Sequence, residues 1–173
     1  RLLPAEEFRK EEHEEFLNAC VLCNNALLGE ENIGDPTELA LLILAEECGR
    51  EKENTEKEYV RISECAFDSV RKKMTTIHKS VNGEVAYSKG AADRILKDCR
   101  TVWKNGKEAA FSEKAKNEAQ RAMEQMASSA LRVIALAMKK KGDLKEEKDL
   151  VFLGLAGMMD PPREGVAEAV QSF

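Results

Sequence analysis

FDSVRKKMTTIHKSVNGEVAYSKGA, residues 67–91, is the stretch from which the fold can be read. Asn82-Gly83 sits between runs of β-formers, and Asn and Gly tolerate the positive φ that a two-residue type I′ turn requires. With Asn82-Gly83 as the turn, Val81 pairs with Glu84, His78 faces Tyr87 and Thr76 faces Lys89. Strand side chains alternate, so Lys72, Met74, Thr76 and His78 share a face, and Lys89 joins them. Lys72 and Lys89 then point the same way, about 13 Å apart at roughly 3.3 Å per residue. Two amines on one face, with Phe67 just upstream, suit an elongated anion carrying an aromatic ring. Lysines on a hairpin also make a solvated face, and a Phe before a strand also makes core. Taken alone, the stretch leaves both readings open.

Outward from the hairpin, the flanking segments supply helices. Residues 6–28 carry Phe16, Leu17, Cys20, Cys23, Leu27 and Leu28 at helical spacing behind an acidic first turn, with Gly29 as a stop. Gly34-Asp35-Pro36-Thr37-Glu38 gives Asp35 as N-cap, Pro36 at the first helical position and Glu38 as an acidic capping-box variant. The helix that follows, 39–48, is apolar almost all round and ends at Gly49. Residues 50–57 are charged and read as a short helix or a loop. Tyr59-Val60-Arg61-Ile62 opens a strand carried to about Ala66.

Beyond the hairpin, 91–96 reads as a short helix. A second turn signal, Asn105-Gly106, lies between strand candidates 100–103 and 108–111. Ser112 can cap a helix over 113–128, whose Ala/Met stripe is core packing. Residues 131–138 and 151–158 are apolar runs of strand length. Between them, 139–148 reads as a solvated charged linker. Asp160-Pro161-Pro162-Arg163 stops regular structure and stiffens the chain, as a hinge between rigid bodies requires. The layout predicts an α+β fold, with a mostly antiparallel sheet and helices packed on it.

Composition bounds the functions. Across 173 residues the net charge is −5, which disfavours generic nucleic-acid binding and confines any anion site to a local basic pocket. No apolar run reaches the ~18 residues of a membrane helix, and no signal-peptide pattern opens the chain. Five cysteines at irregular spacing argue against a disulfide framework and fit a reducing, cytosolic setting. Cys20-Val-Leu-Cys23 has no second Cys/His pair near it and reads as two core cysteines. No glycine-rich phosphate loop of the G-x-x-x-x-G-K-[ST] type is present.

Six motifs, in order, carry a resemblance. Cys23-Asn24-Asn25-Ala26, Gly34-Asp35-Pro36-Thr37-Glu38, Phe67-Asp68-Ser69-x-Arg71-Lys72-x-Met74, Lys89-Gly90-Ala91, Leu131-Arg132-Val133-Ile134-Ala135 and Asp160-Pro161-Pro162-Arg163 span nearly the whole chain. The chain resembles the nucleotide-binding (N) domain of a P-type cation-transporting ATPase, in the calcium-pump-like branch. It departs from that pattern at Ala92-Asp93, where the family continues with Pro-Glu. It departs again at Glu164-Gly165, where Pro-Glu or Lys-Glu is common.

The resemblance implies a role for each matched residue. Phe67 stacks on adenine, and Glu38 accepts from the adenine amino group or caps its helix. Lys89 lies deep in the pocket, and Lys72 neutralises phosphate. Arg132 reaches a phosphate, or is an exposed strand arginine. Met74 and Ile134 line the apolar wall, and Gly90 lets backbone approach the ligand. Arg71 and Lys73 read as surface charge, and His13 and His78 receive no role.

The resemblance also implies ATP or ADP as ligand, with magnesium in the parent enzyme. Its implied partners are phosphorylation and actuator domains of the same chain. It places the chain in a cytoplasmic domain of an integral membrane protein, with no direct membrane contact. Residues 1–157 form the N domain, and 158–173 the hinge and the return toward the phosphorylation domain. The family's phosphorylated D-K-T-G-T motif is absent from this sequence. The chain is therefore expected to be a fragment that binds nucleotide without catalysing hydrolysis. Two alternatives stay open: a regulatory or protein-interaction module of the same fold that does not bind nucleotide, and an N domain from a proton, sodium or magnesium pump.

Overall fold

The hairpin forms, but on a different turn. In the computed structural model, which describes Phe8 and residues 13–159, β2 (Lys73–Ser80) pairs antiparallel with β3 (Gly83–Ala91). Ser80 faces Gly83, so Val81 and Asn82 are the loop. Neither has a positive φ, while Gly83 has φ 109°, so the turn is not type I′, which needs φ > 0 at both central residues. His78 therefore faces Val85, Thr76 faces Tyr87 and Met74 faces Lys89. The register differs from the expected one by two residues. An even shift preserves which side chains share a face, so Met74, Thr76, His78 and Lys89 still lie together.

Around this hairpin the chain adds α1 (Glu14–Leu22), α2 (Pro36–Glu47), α3 (Lys52–Glu58) and β1 (Val60–Asp68) before it. After it come α4 (Ala92–Asp98), β4 (Cys99–Lys104), β5 (Lys107–Ala110), α5 (Glu113–Ser128), β6 (Arg132–Lys139) and β7 (Leu150–Met158). The strands make one sheet in the order β1-β2-β3-β6-β7-β4-β5. Every neighbouring pair is antiparallel except β4–β7. This is the α+β architecture expected. Asn105 (φ 53°) and Gly106 (φ 74°) both adopt positive φ between Lys104 and Lys107, so the second Asn-Gly does form a type I′ hairpin.

Each face of the sheet carries its own core. On one, Leu17, Cys20 and Leu22 of α1 and Leu41 of α2 meet Met74, Tyr87 and Leu136. On the other, Ile95 of α4 and Ala119 of α5 meet Ala135, Ala137 and Phe152. The end of α5 packs closely on Gly157, where a Cβ would lie 2.7 Å from Met126 Sδ. Asp35 caps α2 by accepting from Thr37 N at 2.8 Å. Ser112 caps α5 by accepting from Ala115 N at 3.2 Å.

α1 ends at Leu22, short of the expected residue 28. Asn24 is the reason. Its side-chain amide donates to Cys20 O (3.0 Å) and Glu38 O (2.8 Å), and its oxygen accepts from Ala26 N (2.9 Å). A side chain that competes for backbone groups on both sides turns the chain out of the helix. The expected hinge, Asp160-Pro161-Pro162-Arg163, and the return segment after it lie outside the described residues. Among the described residues, no helix is long and apolar enough to cross a membrane.

Candidate functional site

Strands β1, β2, β3 and β6 are neighbours, and the residues singled out in the sequence fall at one end of them. Across the sheet, Asp68 pairs with Lys73, Lys73 with Gly90, and Gly90 with Ala135. The adjacent row is irregular in β1. Cys65 faces Thr75 and Asp68 faces Lys73, so Ala66 and Phe67 together stand opposite the single residue Met74. That is a β-bulge, which bends the strand and re-aims a side chain. Met74 faces Lys89, and Lys89 faces Leu136. Ile134 lies one pair further on, opposite Ala91, and Arg132 begins β6.

Phe67 rides the bulge with 62% of its surface in water. A large ring held in solvent by a backbone irregularity is unlike the buried Phe16, Phe111 and Phe152 of the same chain. From there the row passes inward to Lys89, whose side chain is 9% exposed and donates from Nζ to Glu38 Oε1 at 2.5 Å; Glu38 is 14% exposed. Glu38 therefore pairs with Lys89, and the side-chain cap of α2 comes from Asp35. Arg132 donates from Nη1 to Thr37 Oγ1 at 3.1 Å. The first turn of α2 is thus tied to β3 through Glu38 and to β6 through Thr37.

Several expectations change at this end of the sheet. Lys72 is not on β2. It lies in the turn before it, exposed, with φ 55°, and its N–H donates to Asp68 O at 2.6 Å. It therefore does not share the strand face of Lys89 by alternation.

Gly90 is required by protein rather than left open for a ligand. A Cβ there would lie 2.3 Å from Lys72 O and 2.7 Å from Lys73 Cα, and Ala91 N donates to Lys72 O at 2.9 Å. The left-handed turn at Lys72 closes on β3 only because residue 90 has no side chain. Met74 is 3% exposed and packs in the core, so it forms floor beneath the site instead of a wall. Ile134 keeps partial exposure.

Arg71 and Lys73 are not simple surface charge. The Arg71 guanidinium pairs through Nη1 with Glu147 Oε2 and donates through Nη2 to Ala66 O at 2.6 Å. Lys73 is buried and reaches Asp98 Oδ2 at 2.6 Å and Glu147 O at 3.1 Å. Glu147 also accepts from Thr75 Oγ1 at 2.6 Å. The segment expected to be a solvated linker therefore sends one carboxylate under the sheet. Its sequence signal was only a charged run, and no local pattern marked Glu147. The Asp68 carboxyl is held below the usual range by the N–H groups of Arg71 and Val70. The Arg71 guanidinium is raised above its ordinary value by hydrogen bonding to Glu147.

Cys20 and Cys23 are fully buried, and burial raises both thiols, with the Lys89 charge pulling the other way. They sit beneath Lys89 as inert packing. Among the described residues, no group of three or more His, Cys, Asp or Glu side chains is placed to hold a metal ion.

The profile of the family described as P-type ATPase, cytoplasmic domain N, matches residues 12–165. The chain is 39% identical over 161 residues to calcium-transporting ATPase 1 of Bacillus cereus, covering 90% of this chain and 18% of the relative. It is 40% identical over 162 residues to the calcium-transporting ATPase of Bacillus subtilis, covering 87% and 18%. It is 34% identical over 163 residues to the calcium-transporting ATPase type 2C member 1 of Homo sapiens, covering 91% and 17%. The chain thus spans less than a fifth of the length of these relatives.

Proposed function

The chain belongs to the family of cytoplasmic N domains of P-type ATPases, and from that premise we propose that it binds the adenosine part of ATP or ADP on the Phe67 bulge. The observation that carries this reading is the exposed ring of Phe67 beside a shielded Lys89–Glu38 pair. Adenine stacks on Phe67; base–aromatic stacking of this kind contributes about 1–3 kcal/mol. Ile134 gives the ring an apolar edge. Lys89 carries three N–H donors, so an ammonium already bonded to Glu38 still has donors for the ligand. Glu38 accepts from the adenine amino group. Lys72, exposed on its turn, and Arg132, at the start of β6, face the phosphates, where a guanidinium fork suits bidentate contact. Gly90 and Met74 act from below, one by admitting the Lys72 turn and the other by supporting the row.

In the parent protein, holding adenosine at one end lets the γ-phosphate reach an aspartate on a phosphorylation domain; such positioning replaces a bimolecular encounter by an intramolecular one. Magnesium accompanies the triphosphate there. Asp160-Pro161-Pro162-Arg163 serves as the hinge for closure. The parent is then an ATP-hydrolysing cation translocase with calcium as its ion, and this domain works on the cytoplasmic side with the phosphorylation and actuator domains. The chain alone contributes binding.

Titration of the 173-residue chain with ADP, followed by amide NMR, tests the reading. Saturable shifts centred on Phe67 and Lys89, lost in Phe67→Ala, support it. No response at millimolar ADP, or an unchanged response in Phe67→Ala, would identify a module that keeps the fold and does not bind nucleotide.

A further inference from the structure

We propose that Arg71 and Glu147 are positioning residues that set the Phe67 ring through the backbone of the bulge. This rests on the reading of Phe67 as the adenine platform. The Arg71 guanidinium spans two partners. One arm donates to Ala66 O at 2.6 Å, the carbonyl of the peptide unit that leads directly into Phe67. The other arm is held by the Glu147 carboxylate, 76 residues away in sequence. Glu147 is itself fixed. Its side chain is 9% exposed, its second oxygen accepts from Thr75 Oγ1 at 2.6 Å on β2, and its carbonyl accepts from Lys73 Nζ at 3.1 Å.

The anchor thus stands on the sheet interior, on the face away from α2, and the far end of the fork holds a carbonyl of the bulged segment itself. A bulge costs local pairing and leaves the strand free to bend; the Arg71 fork removes that freedom. A guanidinium is suited to this because its donors are planar and pre-organised, so one side chain fixes two acceptors in a set geometry. Asp68 completes the frame by accepting from the Arg71 and Val70 amides at 2.8 Å each. The segment between β6 and β7 therefore governs the ring seat without touching the ligand.

The sign of the Glu147 effect separates this role from plain electrostatics. Removing a carboxylate from a site for a polyphosphate strengthens binding if charge alone matters. If Glu147 acts through Arg71 and the bulge, its removal weakens binding. The test compares Arg71→Lys, Glu147→Gln and the double variant with the unaltered chain, using calorimetric titration with adenosine and with ADP well below each variant's melting temperature. Arg71→Lys keeps the charge and cannot fork across both acceptors.

We expect each single variant to weaken adenosine and ADP by the same factor, about tenfold, the size of one lost charge-assisted hydrogen bond. The double variant should be no weaker than the worse single one, because both act through one bond to Ala66. The Phe67 amide resonance should shift in the ligand-free variants, since it reports the hydrogen bond at the preceding carbonyl. Unaltered affinities, tighter ADP binding in Glu147→Gln, or a loss confined to ADP in Arg71→Lys would each overturn the proposal. If the unaltered chain binds and Phe67→Ala abolishes binding while these variants behave as the unaltered chain, the positioning role fails and the nucleotide reading stands. If the unaltered chain does not respond, the nucleotide reading fails, and the positioning role with it.

Discussion

Lys89 Nζ lies 2.5 Å from Glu38 Oε1, a contact between β3 and α2 across 51 residues of sequence, and both side chains are largely shielded from water. A buried ion pair contributes little net stability, because desolvation offsets attraction, but removing one member strands the other. Lys89→Ala and Glu38→Ala should therefore each destabilise the chain by roughly 3–5 kcal/mol. Replacing both, as in Lys89→Met with Glu38→Leu, should recover most of that loss. The double variant should melt near the unaltered chain and still bind ADP poorly. Recovered stability together with unaltered ADP affinity would remove the pair from the site.

Gly90 offers a sharper structural test. A Cβ placed there falls 2.3 Å from Lys72 O, a separation that only backbone movement can relieve. Gly90→Ala should cost about 1–3 kcal/mol, the range for overpacked sites. Urea unfolding should show the loss, and the amide resonances of the β1–β2 turn should move with it. A variant with parental stability would show that the turn yields freely.

Much of this was legible because it is local. Asp35, Pro36 and Ser112 mark helix starts through contacts two or three residues away, and Asn105-Gly106 dictates its turn by its own φ preferences. Asn82-Gly83 is the same dipeptide and behaves differently. Its turn begins one residue earlier, and Gly83 alone takes positive φ. Pairing along the whole of β2 and β3 overrode the dipeptide, and the two-residue shift left the face assignments intact. What could not be read is long-range. Asn24 ends α1 with help from Glu38 O, Glu147 reaches Arg71 across the sheet, and the bulge at Phe67 exists only relative to β2. Motifs marked the candidate residues, and the bonds that hold them in place left no local signal.

Lys72 occupies a left-handed conformation, φ 55°, that costs a side-chain-bearing residue roughly 1–2 kcal/mol. Lys72→Gly removes that strain and adds unfolded-state entropy of similar size. Its stability should stay within about 1 kcal/mol of the unaltered chain. Lys72→Val, with a β-branched side chain in the same conformation, should be clearly less stable. In the nucleotide reading, Lys72→Gly loses ADP affinity and leaves adenosine affinity unchanged. Equal loss for both ligands would place Lys72 away from the phosphates. Melting curves with paired adenosine and ADP titrations decide it.

His78 predicts the acid limit of the fold. It is buried on β2, opposite Arg61 of β1; its Nε2 lies 2.8 Å from Thr76 Oγ1, and its Nδ1 lies 3.3 Å from Tyr59 O. A carbonyl only accepts, so Nδ1 faces Tyr59 O as the donor, and Nε2 lies against the Thr76 hydroxyl, which also donates to Leu22 O at 3.3 Å. Burial lowers its pKa from 6.5 to about 4; the Tyr59 carbonyl opposes this and the nearby Arg61 charge adds to it. Above about pH 6.5 the imidazole is neutral in both folded and unfolded chains, and the shift has no effect. As pH falls below 6.5, only the unfolded chain takes up the proton, so stability drops until the folded group titrates near pH 4. Between pH 7 and pH 5 the loss should be about 2 kcal/mol. Urea midpoints across that range should slope downward toward acid in the unaltered chain and flatten in His78→Gln, whose amide can donate to Tyr59 O without titrating. Parallel slopes in the two proteins would assign the acid sensitivity to carboxylates instead.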